Sequence, residues 1–137
     1  MRTMLDLELA RDLRKDSGLS EADYDVLTML SDPPGRALRA RDLGNSLKWS
    51  TSRLAHQIGR MEQRGLVARS ATDEDARGAV ITLTEDGWQT LRAAAPLHVE
   101  SVRRNLIDLL SPAELRTLDK IARKVLDHLQ PGAADTE

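Results

Sequence analysis

Residues 42–65, Asp42-Leu-Gly-Asn-Ser-Leu-Lys-Trp-Ser-Thr-Ser-Arg-Leu-Ala-His-Gln-Ile-Gly-Arg-Met-Glu-Gln-Arg-Gly65, decide how the rest of the chain is read. The stretch scans as a short helix, a turn and a second helix. Ser50 or Thr51 can cap the second helix by accepting a backbone N–H, and Gly65 can close it in the left-handed conformation that glycine adopts without steric cost. That leaves about four helical turns. On a helical wheel Leu54, Ile58 and Met61 share one narrow face, while Ser52, Arg53, His56, Arg60 and Gln63 gather opposite. The polar face holds groups that hydrogen-bond base edges or phosphates, and Glu62 is the acid that interrupts it. An ordinary amphipathic helix with a solvated charged side gives a similar pattern, so the flanking segments carry the decision.

Charge is distributed unevenly around this stretch. The chain is −2 overall, yet Arg36, Arg39, Arg41, Lys48, Arg53, Arg60, Arg64 and Arg69 face only Asp42 and Glu62 between residues 36 and 69, a local +6 on an acidic remainder. A basic stretch on an acidic body suits a nucleic-acid partner. The 137 residues fit one domain of ordinary size. Tyr24, Trp49 and Trp88 are the only aromatics, so the core must be aliphatic, which favours helices over sheets. With no cysteine, disulfides, thiolate metal sites and thiol redox sensing are excluded. No apolar run approaches a membrane span, and Met-Arg-Thr-Met-Leu-Asp lacks a signal peptide's hydrophobic region, so a cytoplasmic location without membrane association is expected.

Before the central stretch, Leu5, Leu9 and Leu13 recur at spacing four in a short helix that Ser17-Gly18 stops. Ser20 opens a second helix with Tyr24, Val26, Leu27 and Leu30 as apolar positions, ended by Asp32-Pro33-Pro34-Gly35. A third runs roughly from Arg39 to Leu47. After Gly65 the period turns from helical to alternating: Leu66–Ser70 and Ala79–Thr84 read as paired strands around a loop at 72–78. Thr84 can cap a long helix from Glu85 to about Leu110, which Pro96 should kink. Ser111-Pro-Ala-Glu114 is a capping box with Pro at the first helical position. The last helix carries Leu115, Leu118, Ala122, Val125 and Leu129 at alternating spacings of three and four, two heptads of a packing seam. With the first helix this favours a homodimer through Leu5, Leu9, Leu13, Leu106, Leu110, Leu118, Val125 and Leu129. Residues 131–137 show no pattern and read as a disordered tail.

Helix, helix, recognition helix, hairpin and long helix describe a winged helix-turn-helix: mainly α, about six helices, a small two-stranded β-wing, and terminal helices forming a dimerisation region. Gly65-Leu-Val-Ala-Arg69, then Asp75-Ala-Arg77-Gly78, then Ile81-Thr-Leu-Thr-Glu-Asp-Gly87 resembles the wing signature of the MarR family of bacterial transcription regulators, over about residues 20–130. The resemblance implies a DNA-binding lobe over 20–87, flanked by a dimerisation region at 1–19 and 88–130. It puts Ser50, Thr51, Ser52, Arg53, His56, Gln57, Arg60 and Arg64 in the major groove, with Arg39 and Arg69 flanking. Asp75 and Arg77 become the wing pair, the Arg either reaching the minor groove or braced by the Asp. Ala76 stands where many relatives have a second Arg, and the first helix is short for the family.

Other chemistry finds no support in the chain. His56, His98 and His128 fall on separate helices, with no carboxylate spacing for a metal cage. Asp73, Glu74 and Asp75 lack the ligand spacing of a calcium loop and read as a turn. No phosphate loop, nucleophile motif or cofactor signature is present, so neither catalytic nor metal residues are assigned. The resulting expectation is a dimeric regulator, a repressor on family grounds, that binds palindromic double-stranded DNA and is released by a small hydrophobic or aromatic effector bound near Tyr24 and Pro96. The alternative is a winged-helix interaction or scaffold module without ligand sensing.

Overall fold

The structure, a computed structural model, describes residues 1–72 and 75–130, with backbone alone at 72 and 75–77. The acidic turn at Asp73 and Glu74 and the tail at 131–137 lie outside the described residues. Six helices are described: α1 (Arg2–Ser17), α2 (Glu21–Ser31), α3 (Ala40–Leu47), α4 (Thr51–Gln63), α5 (Glu85–Asn105) and α6 (Pro112–Leu129). Three strands accompany them: β1 (Ala37–Arg39), β2 (Val67–Thr72) and β3 (Asp75–Leu83). The chain divides into two compact units, Met1–Val99 and Glu100–Glu137.

In the first unit, α1 ends at Gly18 in the left-handed region, whose N–H donates to the Arg14 carbonyl at 2.9 Å. Leu19 follows directly into the core. Ser20 then closes a full capping box with Asp23, each side chain accepting from the other's backbone N–H. From α2, Val26, Leu27 and Leu30 are fully buried, against Leu43 of α3, Leu54, Ile58 and Met61 of α4, and Ile81 of β3. The turn between α3 and α4 is made by Lys48 in the left-handed region, with the Trp49 N–H donating to the Gly44 carbonyl at 3.0 Å. Ser50 caps α4, its hydroxyl accepting from the Arg53 N–H at 3.1 Å.

The sheet has three antiparallel strands in the order β1-β3-β2, one more than the two-stranded wing expected. The addition is β1, pairing Ala37 with Thr82, Leu38 with Ile81 and Arg39 with Val80. It makes β3 the central strand of a small sheet, support that a marginal two-stranded unit needs.

The Leu83-Thr-Glu-Asp-Gly87 run is where sheet and helices lock together. The Thr84 hydroxyl accepts from the Gly87 N–H at 2.9 Å, capping α5, and donates to the Gly65 carbonyl at 2.6 Å. The Thr84 N–H donates to the Leu66 carbonyl at 3.1 Å. Gly87 therefore lies directly against the Leu66 carbonyl. Gly65 has φ +74°, so the chain leaves α4 by a left-handed residue as its sequence position required.

α5 runs continuously through Pro96 but stops at Asn105, not near Leu110. The Asn105 amide donates to the Ser101 carbonyl at 2.9 Å, giving a helix-end carbonyl a side-chain partner, and a short 3-10 turn at Ile107–Leu109 follows. In the second unit Ser111 and Glu114 form the expected capping box with Pro112 at the first position. α6 is exposed along its length apart from half-buried Leu115. Leu118, Ile121, Val125, Leu126 and Leu129 are 41–67% exposed.

A Cβ on Gly87 would fall inside the contact distance of the Leu66 carbonyl and 2.7 Å from Leu83 Cδ1, whereas one on Gly59 meets nothing within 4 Å. Gly87→Ala is expected to destabilise the fold by about 1–3 kcal/mol through overpacking. Gly59→Ala, inside α4, should be neutral or stabilising by up to about 1 kcal/mol. Thermal unfolding of the two variants side by side measures both.

Candidate nucleic-acid interface

The exposed side of α4 carries Thr51, Ser52, Arg53, His56, Arg60 and Gln63, all open to solvent, while Leu54, Ile58 and Met61 are buried. The Arg53 guanidinium lies over the Trp49 ring at 4.5 Å from its centroid, so the first turn of α4 presents a cation already stacked on an aromatic face. Beside this helix, a groove of about 360 Å³ opens between α3, α4 and the sheet, with Arg41 and Arg69 among its walls. Arg39 is exposed at the end of β1. Among the described residues, no carboxylate pairs with Arg39, Arg41, Arg60 or Arg69. The groove and α4 thus share one cationic side suited to a polyanion.

Two residues expected on that side are placed elsewhere. Gln57 is only 9% exposed, and its amide nitrogen donates to Asp23 Oδ1 at 2.6 Å. Arg64 donates to Asp23 Oδ2 at 2.7 Å and to the Gly18 carbonyl at 3.3 Å. The wheel position explains this: Gln57 lies three residues after Leu54 and four before Met61, so it borders the buried stripe. The side chains of Asp75 and Arg77 lie outside the described residues, and the role of the wing pair with them. Arg36, counted in the basic stretch, stacks over Trp88 at 3.9 Å and lies 3.9 Å from a Glu85 oxygen, which turns it toward α5.

Asp23 is the acid that sequence reading missed, and it is 5% exposed. Burial alone would raise its pKa, but the Ser20 N–H, Arg64 and Gln57 outweigh it and hold the carboxyl below its ordinary range. A buried carboxylate with a lowered pKa supports the fold above the ordinary carboxylate range, and that support is lost as pH falls through the lowered value. The signal for it was available, since a capping box that uses Asp three residues into an amphipathic helix places a carboxylate beside the buried stripe.

A second cleft, of about 210 Å³, is lined by Leu9 and Leu13 of α1, Glu21, Tyr24 and Asp25 of α2, and His98 of α5. The Tyr24 and His98 rings are 4.6 Å apart and tilted by 45°. This cleft includes Tyr24, one of the two residues expected to border an effector site, but not Pro96, and it carries the carboxylates of Glu21 and Asp25 beside its apolar walls. Burial, with repulsion from Asp6 and Asp25, raises the Glu21 pKa. Asp25 keeps an edge open to solvent, yet its pKa is raised by burial, and His98 and Arg53 offset only part of that. Leu13 is 3% exposed and belongs to the core of this unit, so it is not available to a partner; Leu5 and Leu9 are half-buried. The described residues contain no group of three His, Cys, Asp or Glu able to hold a metal ion, and no helix among them is long and apolar enough to cross a membrane.

Comparison with known proteins agrees with this arrangement. A model described as MarR family matches residues 17–78. AbsC from Streptomyces coelicolor, a MarR family transcriptional regulator of solved structure, is 44% identical, with a TM-score of 0.85 over 93% of this chain and 86% of that one. Sco3205 from the same organism, also a MarR family transcriptional regulator and solved in complex with DNA, is 37% identical, with a TM-score of 0.86 over 99% of this chain and 86% of that one. The transcriptional regulator HosA of Escherichia coli is 28% identical over 127 residues, 93% of this chain and 92% of HosA.

Because the ionised form of Asp25 is disfavoured by folding, the folded chain loses stability as pH rises through the carboxylate range, and the penalty is complete above it. Asp25→Asn is therefore expected to raise the melting temperature at pH 7. The gain should vanish below about pH 4, where the unfolded carboxyl is itself protonated. Unfolding scans across that range check the sign.

Proposed function

The chain belongs to the MarR family of transcriptional regulators, and on that premise we propose that it reads operator DNA with α4 in the major groove while Arg39 and Arg69 flank the backbone. The observation that carries this reading is the exposed polar face of α4, where Ser52, Arg53, His56 and Arg60 are all open to solvent and Arg60 has no carboxylate partner among the described residues. Arg53 and His56 are the base-reading candidates because they lie on the first two turns, the end that enters the groove in helix-turn-helix proteins. Ser50 and Thr51 lie at the helix N-terminus, where backbone N–H groups favour a phosphate. Arg77 and Asp75 complete the wing contact by the family resemblance.

DNA binding is assigned to residues 20–87 and pairing to 1–19 and 88–130. The partner is a second copy of the chain, since one recognition helix reads too few base pairs for selectivity and two-fold pairing supplies two half-sites about one helical turn apart. Support comes from α6, whose Leu118, Val125 and Leu129 are exposed on a helix with little cover of its own. Leu106 and Leu110, half-buried, extend the same seam. A dimer clamped on a palindromic operator represses by occlusion. Release falls to a small effector in the cleft by Tyr24 and His98. Glu21 and Asp25 there favour a neutral or cationic hydrophobic molecule over an anion. The scaffold alternative leaves the exposed cations Arg39, Arg41, Arg60 and Arg69 without a use.

A gel shift with duplex from upstream of the chain's own gene, against random duplex of the same length, tests the reading. Tighter binding to the upstream fragment is expected, and equal binding to both would refute sequence-specific recognition. Arg53→Ala should cost about 1–3 kcal/mol on the specific site with little change on random DNA. Arg60→Ala should weaken both and lower the salt slope by about one.

Pairing has its own measurement. Leu118→Asp combined with Val125→Asp puts unpaired charge into the seam and should shift sedimentation from dimer to monomer at micromolar concentration, with loss of operator binding. A wild-type chain that sediments as a monomer and still binds the palindrome unpaired would exclude the dimer.

A further inference from the structure

One polar residue of α4 and the residue that follows its end converge on one carboxylate on the side away from that assigned to DNA. Gln57, in the middle of the helix, donates to Asp23 Oδ1 at 2.6 Å. Arg64, just past its last residue, donates to Asp23 Oδ2 at 2.7 Å. Oδ2 also accepts from the Ser20 N–H at 2.9 Å, so the same carboxylate belongs to the capping box of α2. The other Arg64 nitrogen reaches the carbonyl of Gly18, the residue that ends α1.

We infer that Asp23 is a positioning residue for DNA recognition, fixing the rotation and tilt of α4 through Gln57 and Arg64, which therefore act from behind the helix and not on the duplex. The inference rests on α4 being the DNA-reading helix, as proposed above. Two attachments nearly two turns apart to one point define both the rotation of a helix about its axis and its inclination, which a single attachment leaves free. The apolar contacts beneath α4 are made by Leu54, Ile58 and Met61, and such packing is non-directional. A charge-assisted bond to a buried carboxylate is short and directional, and a displacement of α4 would strand that charge without its donors. Base contacts demand placement to within a fraction of an ångström, whereas attraction of a basic face to phosphates does not. Loosening α4 should therefore erase discrimination between sequences while leaving non-specific attraction in place.

The measurement uses the full chain, a duplex selected from a randomised library by the wild-type protein, and a random duplex of equal length, each titrated over a series of salt concentrations below the unfolding temperature. Asp23→Asn and Gln57→Met should each weaken the selected duplex by about tenfold or more, the effect of losing a hydrogen bond to a charged group. Affinity for random DNA and the salt slope should stay as in the wild type. Arg64→Ala should behave in the same way, and joining it to Asp23→Asn should add little, because the two changes break one network. A salt slope lowered by about one in Arg64→Ala, with full discrimination kept in Asp23→Asn, would put Arg64 on a phosphate and overturn the inference. Should Asp23→Asn fail to fold, Gln57→Met decides: it removes one donor and keeps the length of the side chain, and undiminished discrimination in it is equally fatal. Arg53→Ala separates the two ideas. If it binds as the wild type does, α4 is not the reading helix; if it loses discrimination while Asp23→Asn and Gln57→Met keep theirs, only the positioning role fails.

Discussion

A carboxylate withdrawn from water must find hydrogen-bond donors for its oxygens, and Asp23 finds them on three segments at once: the start of α2, the middle of α4, and the residue that leaves α4. Much of the first unit follows from that requirement. The core around it is built of leucine, isoleucine, valine and methionine, whose attraction is non-directional. The Asp23 cluster adds directional bonds between α2 and α4. The same first turn of α2 also supplies Glu21, Tyr24 and Asp25 to the acidic cleft, so one short segment borders both the cleft and the helix proposed to read DNA.

The junction after α4 works by different means. Thr84 caps α5 and reaches back to Gly65, while the missing side chain of Gly87 lets α5 approach the Leu66 carbonyl. A threonine and a glycine three residues apart thus join the end of α4, the start of β2 and α5 in one compact turn. The Leu-Thr-x-x-Gly run at 83–87 has a steric reason here: any larger residue at the glycine would displace the backbone it leans on.

Elements with strong local signals were legible in the sequence. Ser20, Ser50, Thr84 and Ser111 each cap the helix they precede, and Gly18 and Gly65 take the left-handed conformation that their places after a helix demanded. What escaped depends on contacts distant along the chain. β1 is three residues long, too short to show alternation, and exists because β3 offers it an edge. Gln57 and Arg64 look like DNA ligands by residue type, but Gln57 borders the buried stripe and both donate to the Asp23 carboxylate. Leu13 reads as part of an outward stripe by spacing, yet lies in the core. The end of α5 was placed too late because a capping asparagine outweighs continued apolar spacing. The exposed basic face of α4, by contrast, follows directly from its wheel.

The stacking of Arg53 on Trp49 reaches beyond recognition into optics. Trp49 and Trp88 are the only indoles in the chain, and each lies beneath an arginine, Arg53 over one and Arg36 over the other. An indole responds to the charge above its ring, so a guanidinium drawn from Trp49 toward a phosphate or base changes the emission of that ring. Trp88 emits in the same band, so the change is read in the summed tryptophan emission, one of whose two sources lies beside the helix proposed to meet DNA.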